Sequence, residues 1–290
     1  MKKKLLKNKD GLLSVNKKPS QQELKNLYKN LYYQKNLSKT YKKRYSHDEI
    51  KFNELNFRLF QLFFKRKHKS ILDIGTGEGY LLSFFIKQNY KCYGVDYSKH
   101  GMISQNPRLL KKIEFVNCDI IENNFFIGKT FDIIFLMNVA EHVPNFNILI
   151  KKIYKKLKKG GLLIIKVPNE YDIVHKKYLK NNNLKKEQLA IFNPLHHLNY
   201  FNKDSLKKSV LNNVDLKCLT MYSDFPIEIF ILNKFTNYYK NKSFGKNAHD
   251  LRVKITNLLA EHNQLDKILK YYQISLELGL GRSITAIFEK

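Results

Sequence analysis

Three carboxylates, Asp73, Asp96 and Asp119, each close a short apolar run, and three glycines, Gly75, Gly77 and Gly79, follow the first of them. In Ser70-Ile-Leu-Asp-Ile-Gly-Thr-Gly-Glu-Gly-Tyr80 a strand runs into a turn whose glycines let the backbone approach a ligand with no Cβ in the way. The helix that follows directs its unpaired N–H groups at whatever lies above the turn. A dinucleotide fingerprint, G-x-G-x-x-G, needs glycine at position 80, where this chain has Tyr80. The spacing here is G-x-G-x-G, and Asp73 suits a cationic ammonium group better than a pyrophosphate. Asp96, about 20 residues beyond the first glycine, is placed to accept from both ribose hydroxyls of a nucleoside, with Tyr97 packing near the base. Asp119 can accept from an adenine amino group while Ile120 packs against the ring. Any one of these carboxylates alone reads as a helix cap; three at successive strand ends weaken that reading.

The elements that must position these groups follow in order. Residues 1–19 read as a flexible basic tail, and residues 20–69 as an N-terminal helical cover. In that cover Leu24, Leu27, Tyr28, Leu31 and Tyr32 repeat at helical spacing over 20–37. Ser46 and Glu49 then form a capping box ahead of the apolar helix through Phe52, Leu55, Leu59 and Phe60. Strands are expected at Lys91-Cys-Tyr-Gly-Val-Asp96, Ile113 to Asp119, Phe131 to Met137 and Leu162 to Val167, with Lys158-Lys-Gly-Gly161 stopping the helix before the last of these. Asn138, at the end of the Phe131–Met137 strand, joins the candidate cofactor set.

Strand, Asp, Gly-x-Gly-x-Gly, then acidic strand ends, Glu141-His142-Val143 after the fourth strand and Lys-Lys-Gly-Gly before the fifth resemble the motif succession of class I S-adenosylmethionine (SAM)-dependent methyltransferases. The resemblance covers residues 70–170. It implies SAM as cofactor, held by Asp73, Gly75, Gly77, Gly79, Asp96, Tyr97, Asp119, Ile120 and Asn138. It also implies an α/β, Rossmann-like fold with a seven-stranded, mostly parallel sheet. Residues 70–223 would form its core, 224–280 a helical insertion or substrate cover, and 281–290 the final strand. The pattern His196-His-Leu-Asn-Tyr-Phe201, Phe225-Pro-Ile-Glu228, His249-x-x-Arg252 and Gly279-Leu-Gly-Arg282 is similar, more narrowly, to methyltransferases of bacterial surface-polysaccharide biosynthesis. A small polar acceptor follows from that resemblance: a sugar, sugar nucleotide or related metabolite.

His142 and the His196–His197 pair lie beyond the carboxyl ends of strands, where a neutral imidazole can take a hydroxyl proton as methyl transfer proceeds. A cap for His142 and a buried hydrogen-bonding role for His196 are the plainer alternatives. Glu141, Tyr200, Glu228, His249 and Arg252 are candidates for acceptor binding. Apolar insertion positions, Phe230, Ile231, Leu232, Phe235, Leu258, Leu259, Leu265, Ile268 and Leu269, need a partner surface, either the core or a second subunit.

The formal net charge is +28, which ordinarily points to nucleic acid or an anionic membrane surface. Only six of the 53 basic residues are arginine, however, and the lysines are scattered. Base and phosphate clamps favour arginine's planar fork. Compositional bias is thus the preferred reading, with an RNA methyltransferase as the competing one and a SAM-binding protein without turnover as a third. No apolar run is long enough to span a bilayer, no signal peptide is evident, and a cytoplasmic location is expected. Cys92, Cys118 and Cys218 are far apart, so neither a disulfide framework nor a zinc site is indicated, and no metal ligands are expected.

Overall fold

The computed structural model describes residues 4–20, 22–24, 26 and 45–290. Most of the helix expected over 20–37 therefore lies outside the described residues. Where a basic tail is expected, β1 (Leu5–Lys7) and β2 (Leu13–Val15) form an antiparallel hairpin. The cause is local chemistry: the Asn8 side chain accepts from the N–H groups of Asp10 and Leu12, and Gly11 takes φ +83° at the bend. Leu12 and Val15 then bury their side chains, and the lysines stay exposed.

Helix α1 (His47–Gln61) opens on the capping box, with Ser46 and Glu49 satisfying each other's backbone N–H groups. Its face Leu55, Phe57, Leu59 and Phe60 packs on the sheet. The strands β3 (Ser70–Ile74), β4 (Lys91–Asp96), β5 (Glu114–Asn117), β6 (Phe131–Met137) and β7 (Leu157–Pro168) alternate with α2 (Tyr80–Ile86), α3 (His100–Gln105) and α4 (Phe146–Lys156). Beyond them come α5 (Ile173–Asn181), β8 (Asn199–Tyr200), α6 (Lys203–Leu211), β9 (Lys217–Tyr222), α7 (Ser243–Glu261), α8 (Leu265–Glu277) and β10 (Ser283–Glu289).

The large sheet has seven strands in the order β5-β4-β3-β6-β7-β10-β9, parallel except for β10, which is antiparallel to both neighbours. The expected fold class is thus realised. Its central strands are apolar on both faces because helices cover both, as Ile71, Leu72, Ile133 and Ile134 show by being fully buried. Helix α4 ends at Lys156 with Leu157 as its C-cap, so Lys158-Lys-Gly-Gly161 is not the helix stop expected for it but part of a longer β7 that begins at Leu157. The register of β7 against β6 shifts in this stretch, where Gly160 takes φ +70°.

Chain order reverses between β3 and β6, so the crevice above their carboxyl ends is the switch point where doubly wound sheets bind ligands. The reversed direction of β10 brings its start, Ser283, opposite Pro168 at the carboxyl end of β7, and the end of β9 arrives at the same edge. Residues Lys166, Glu170, Asp224 and Arg282 therefore gather on the ligand side. A second sheet, β1-β2-β8, lies over this side through the pairing of β2 with Asn199–Tyr200. Within residues 224–280, α7 packs along α1, and α8 packs on β9. Ile231 and Ile268 are buried, Leu259, Leu265 and Leu269 pack partly against the core, and Leu232, Phe235 and Leu258 stay exposed.

Candidate active site

The glycine turn is set by sterics. Gly75, Gly77 and Gly79 have φ of +79°, +56° and +77°, a region that L side chains rarely adopt. A Cβ on Gly75 would fall 2.3 Å from a Val139 methyl, and one on Gly79 2.5 Å from Leu109 Cδ2. The Gly75 N–H donates to the Val95 carbonyl, which ties the turn to β4.

Asp73 is buried behind this turn, and its Oδ1 has no hydrogen-bond partner among the described residues. Burial, with the Asp96 charge added, pushes its carboxyl up to about 8. An orphaned buried acceptor of this kind fits a cationic group of a ligand. Asp96 is already part-satisfied: Oδ2 accepts from the Gly77 N–H at 2.8 Å and Oδ1 from Ser98 N–H at 2.9 Å. Burial still raises its pKa, although these N–H groups counter the shift. Asp96 thus holds the glycine turn in shape while its remaining lone pairs can serve ribose hydroxyls.

Asp119 lies two residues past β5, and its Oδ1 accepts from Ile121 N–H at 2.8 Å, the cap role weighed for it from sequence. Its charge also reaches Tyr97, whose hydroxyl burial and Asp119 together push upward. Ile120 packs against the core beside them. Asn138 takes φ +53° at the end of β6, where its N–H donates to the Lys166 carbonyl. The fold therefore brings Asp73, the three glycines, Asp96, Tyr97, Asp119 and Asn138 to one edge of the sheet.

The histidines meet through a loop crossing. Leu198 N–H donates to the Glu141 carbonyl, and the Asn199 amide donates to the carbonyls of Ala140 and Val143. The loop is thereby pinned onto the short turn Ala140–His142 after β6. His142 Nδ1 donates to the His196 carbonyl at 2.6 Å, and burial, with the His197 charge added, holds its imidazole down near 4. His197 lies 5.1 Å from His142, ring to ring, and its Nδ1 is 2.8 Å from Glu170 Oε1. Burial alone would lower the His197 pKa, but the hydrogen bond and charge of Glu170, with Glu141 beyond, raise it. Burial pushes Glu141 itself up to about 8 against the opposing pull of His197. His196 is less enclosed and contributes its carbonyl to the cluster; burial and the His197 charge lower its pKa.

Tyr200 is buried, and its hydroxyl accepts from Asn193 N–H, which fixes the loop carrying the histidines. Glu228 is fully buried, with Oε1 accepting from Gly281 N–H at 2.7 Å. His249 lies between Glu49 and Arg252, which ties α7 to α1. Arg252 Nη1 is 3.8 Å and Lys166 Nζ 3.9 Å from Asp224 Oδ2. Glu170, Lys166, Asp224 and Arg282 stand outside the residues that the sequence marks for the site. Glu170 was visible as the acidic residue just after the fifth strand, but its partner is 27 residues on. No metal ligands are expected from the sequence, yet donor atoms of Glu141, His142 and His197 lie within 4.8 Å of one another.

A doubly wound sheet, a left-handed glycine turn and carboxylates on successive strand ends define the class: a SAM-binding fold of the class I methyltransferase type. Residues 45–220 match the family model described as a methyltransferase domain, and the chain belongs to that family. It is 26% identical over 132 residues to (S)-coclaurine N-methyltransferase of Thalictrum flavum subsp. glaucum, a match covering 42% of this chain and 36% of that protein. It is 29% identical over 96 residues to the ubiquinone biosynthesis O-methyltransferase of Aliivibrio fischeri (strain MJ11), covering 32% and 41% respectively. The chain thus spans well under two thirds of the length of these relatives. Among solved structures, the plantazolicin methyltransferase BpumL in complex with a triazolic desmethylPZN analog and SAH superposes with a TM-score of 0.54 at 19% identity, over 92% of this chain and 95% of that one. At that identity the likeness concerns the fold.

Proposed function

We propose that the chain transfers the methyl group of SAM to a small polar acceptor carrying a negative charge, a sugar nucleotide or related phosphorylated metabolite, with His197 as the proton acceptor. The observation that carries this reading is the His197–Glu170 pair, held by backbone bonds on the same edge as the glycine turn. SAM supplies an electrophilic sulfonium methyl and leaves as a neutral thioether. Asp73 would hold its ammonium group, Asp96 its ribose, and Asp119 with Tyr97 and Ile120 its adenine. The acceptor oxygen bonds to the methyl carbon as the carbon–sulfur bond breaks, and its proton passes to Nε2 of His197. Glu170 orients that imidazole and stabilises its charged form. Much of the rate then comes from positioning two bound molecules.

The negative charge of the acceptor is supported by Lys166, Arg252 and Arg282 at the same edge, three cations grouped around Asp224. The polysaccharide role rests on the sequence resemblance together with this polar lining. The named relatives methylate nitrogen and oxygen, so the acceptor atom is chosen here by the histidine base. The test is incubation with methyl-labelled SAM, a sugar-nucleotide pool and, separately, RNA. Label in a small phosphorylated product supports the reading. Label in RNA that declines with salt overturns it in favour of the nucleic-acid alternative.

A further inference from the structure

We propose that Glu141, His142 and His197 form a binding site for one divalent transition-metal ion, with Nε2 of both imidazoles and the Glu141 carboxylate as ligands. Their donor atoms lie within 4.8 Å of one another, and His142 Nε2 is 3.7 Å from Glu141 Oε1. Ligands about 2.1 Å from a tetrahedral ion stand about 3.4 Å apart, so small side-chain rotations close the set.

The surroundings point the same way. A carbonyl can only accept, so the bond to His196 places a proton on Nδ1 of His142 and leaves the Nε2 lone pair as its donor to an ion. The carboxylate of Glu170 does the same for His197. A ring N–H given to a carbonyl or carboxylate is the arrangement that orients metal-ligating histidines elsewhere. Glu141 is buried, and its Oε2 has no hydrogen-bond partner among the described residues. The loop and turn that carry the three ligands are fastened by the Leu198 and Asn199 bonds, so the site exists before any ion arrives.

Two imidazoles and one carboxylate favour zinc, cobalt, iron(II) or nickel over magnesium or calcium, which prefer all-oxygen shells. The ion competes with a proton for Nε2 of His197. The inference deepens the proposed function and rests on it for its consequence alone: an acceptor hydroxyl bound to the ion would release its proton to water, taking over the work of the imidazole base.

The test is titration of the chelator-stripped full-length protein with cobalt(II), followed by visible absorption, with zinc as competitor. One equivalent, displaced by zinc and bound at least 100-fold more weakly by both His142→Ala and His197→Ala, is the expected result. Glu141→Gln should also weaken binding, Glu170→Gln should weaken it about 10- to 100-fold, and His100→Ala, at an exposed position at the start of α3, should leave it unchanged. Binding of S-adenosylhomocysteine (SAH) by the same stripped variants reports that they are folded and tests the cofactor reading separately. Absence of stoichiometric cobalt binding, affinity unchanged in the histidine variants, or a thiolate-to-metal band placing the ion on a cysteine would each overturn the site.

Discussion

Substituting Gly75 by alanine tests whether the glycine turn is a steric necessity. At φ +79° an L residue costs roughly 1–2 kcal/mol, and the new Cβ would lie 2.3 Å from Cγ2 of Val139. Relieving such a contact in a packed site costs roughly another 1–3 kcal/mol, so Gly75→Ala should destabilise by about 2–5 kcal/mol. The same Cβ is 3.6 Å from the Val139 Cβ, an ordinary contact. Val139→Ala removes both methyls, the offending one included, and costs roughly 1–2 kcal/mol by itself. In the double variant only the backbone strain and the Val139 loss should remain, giving a favourable coupling of about 1–3 kcal/mol. Urea unfolding of the four proteins at matched slope reads this directly. Strictly additive costs would refute the steric argument, since the clash would then not be with Val139.

Other outcomes follow from the titrating groups and the proposed base. Asp73 and Glu141, both pushed up to about 8, keep a proton in the folded chain after the unfolded chain has lost it. Their presence therefore lowers stability as pH rises from about 4 toward 8, by at most about 1.4 kcal/mol per pH unit per group. Thermal unfolding of the ligand-free protein against Asp73→Asn should show a shallower fall for the variant; identical slopes would contradict it. In the metal-stripped protein the raised pKa of His197 means that kcat should rise with pH through a midpoint above 6.5, and Glu170→Gln should move the midpoint down. An unmoved midpoint in the variant would remove His197 as the base. His197→Ala should lower kcat about a hundredfold or more with SAH affinity intact, as single-turnover assays would show. Arg252→Ala should raise KM for a phosphorylated acceptor without affecting SAH binding, because its guanidinium faces Asp224 past the end of β9, on the same side of the sheet as the glycine turn but four strands from β3. Weakened SAH binding would instead place Arg252 in the cofactor site.

The edge proposed for the cofactor is legible in the sequence because each of its parts leaves a local mark: an apolar run, a carboxylate at its end, and glycines where φ is positive. The fourth strand and the second were readable to the residue, Phe131–Met137 and Lys91–Asp96, since parallel strands covered on both faces carry mostly apolar residues through their middle positions. The N-terminal hairpin was hidden by the lysines around it, although Asn8-Lys-Asp-Gly11 is a turn signal. The edge proposed for the acceptor is only half legible. Glu170 and His197 meet across a loop, and the Arg282 charge comes near enough to act on Asp224 only because β10 runs against its neighbours. Spacing along a chain does not encode such meetings. Asp119 shows a different limit, for its cap bond to Ile121 uses one oxygen alone, so a cap and a ligand-binding role do not exclude each other.

The most direct measurement is calorimetric titration of the full-length protein and of Asp96→Ala with SAM and SAH, with NAD as the comparison ligand. Two hydrogen bonds from ribose hydroxyls to a carboxylate are worth about 2–3 kcal/mol, so the variant should bind SAM roughly 30- to 150-fold more weakly, while NAD binds neither protein appreciably. Equal SAM affinity in parent and variant, or NAD binding as tight as SAM in both, would contradict the assignment of this edge to SAM.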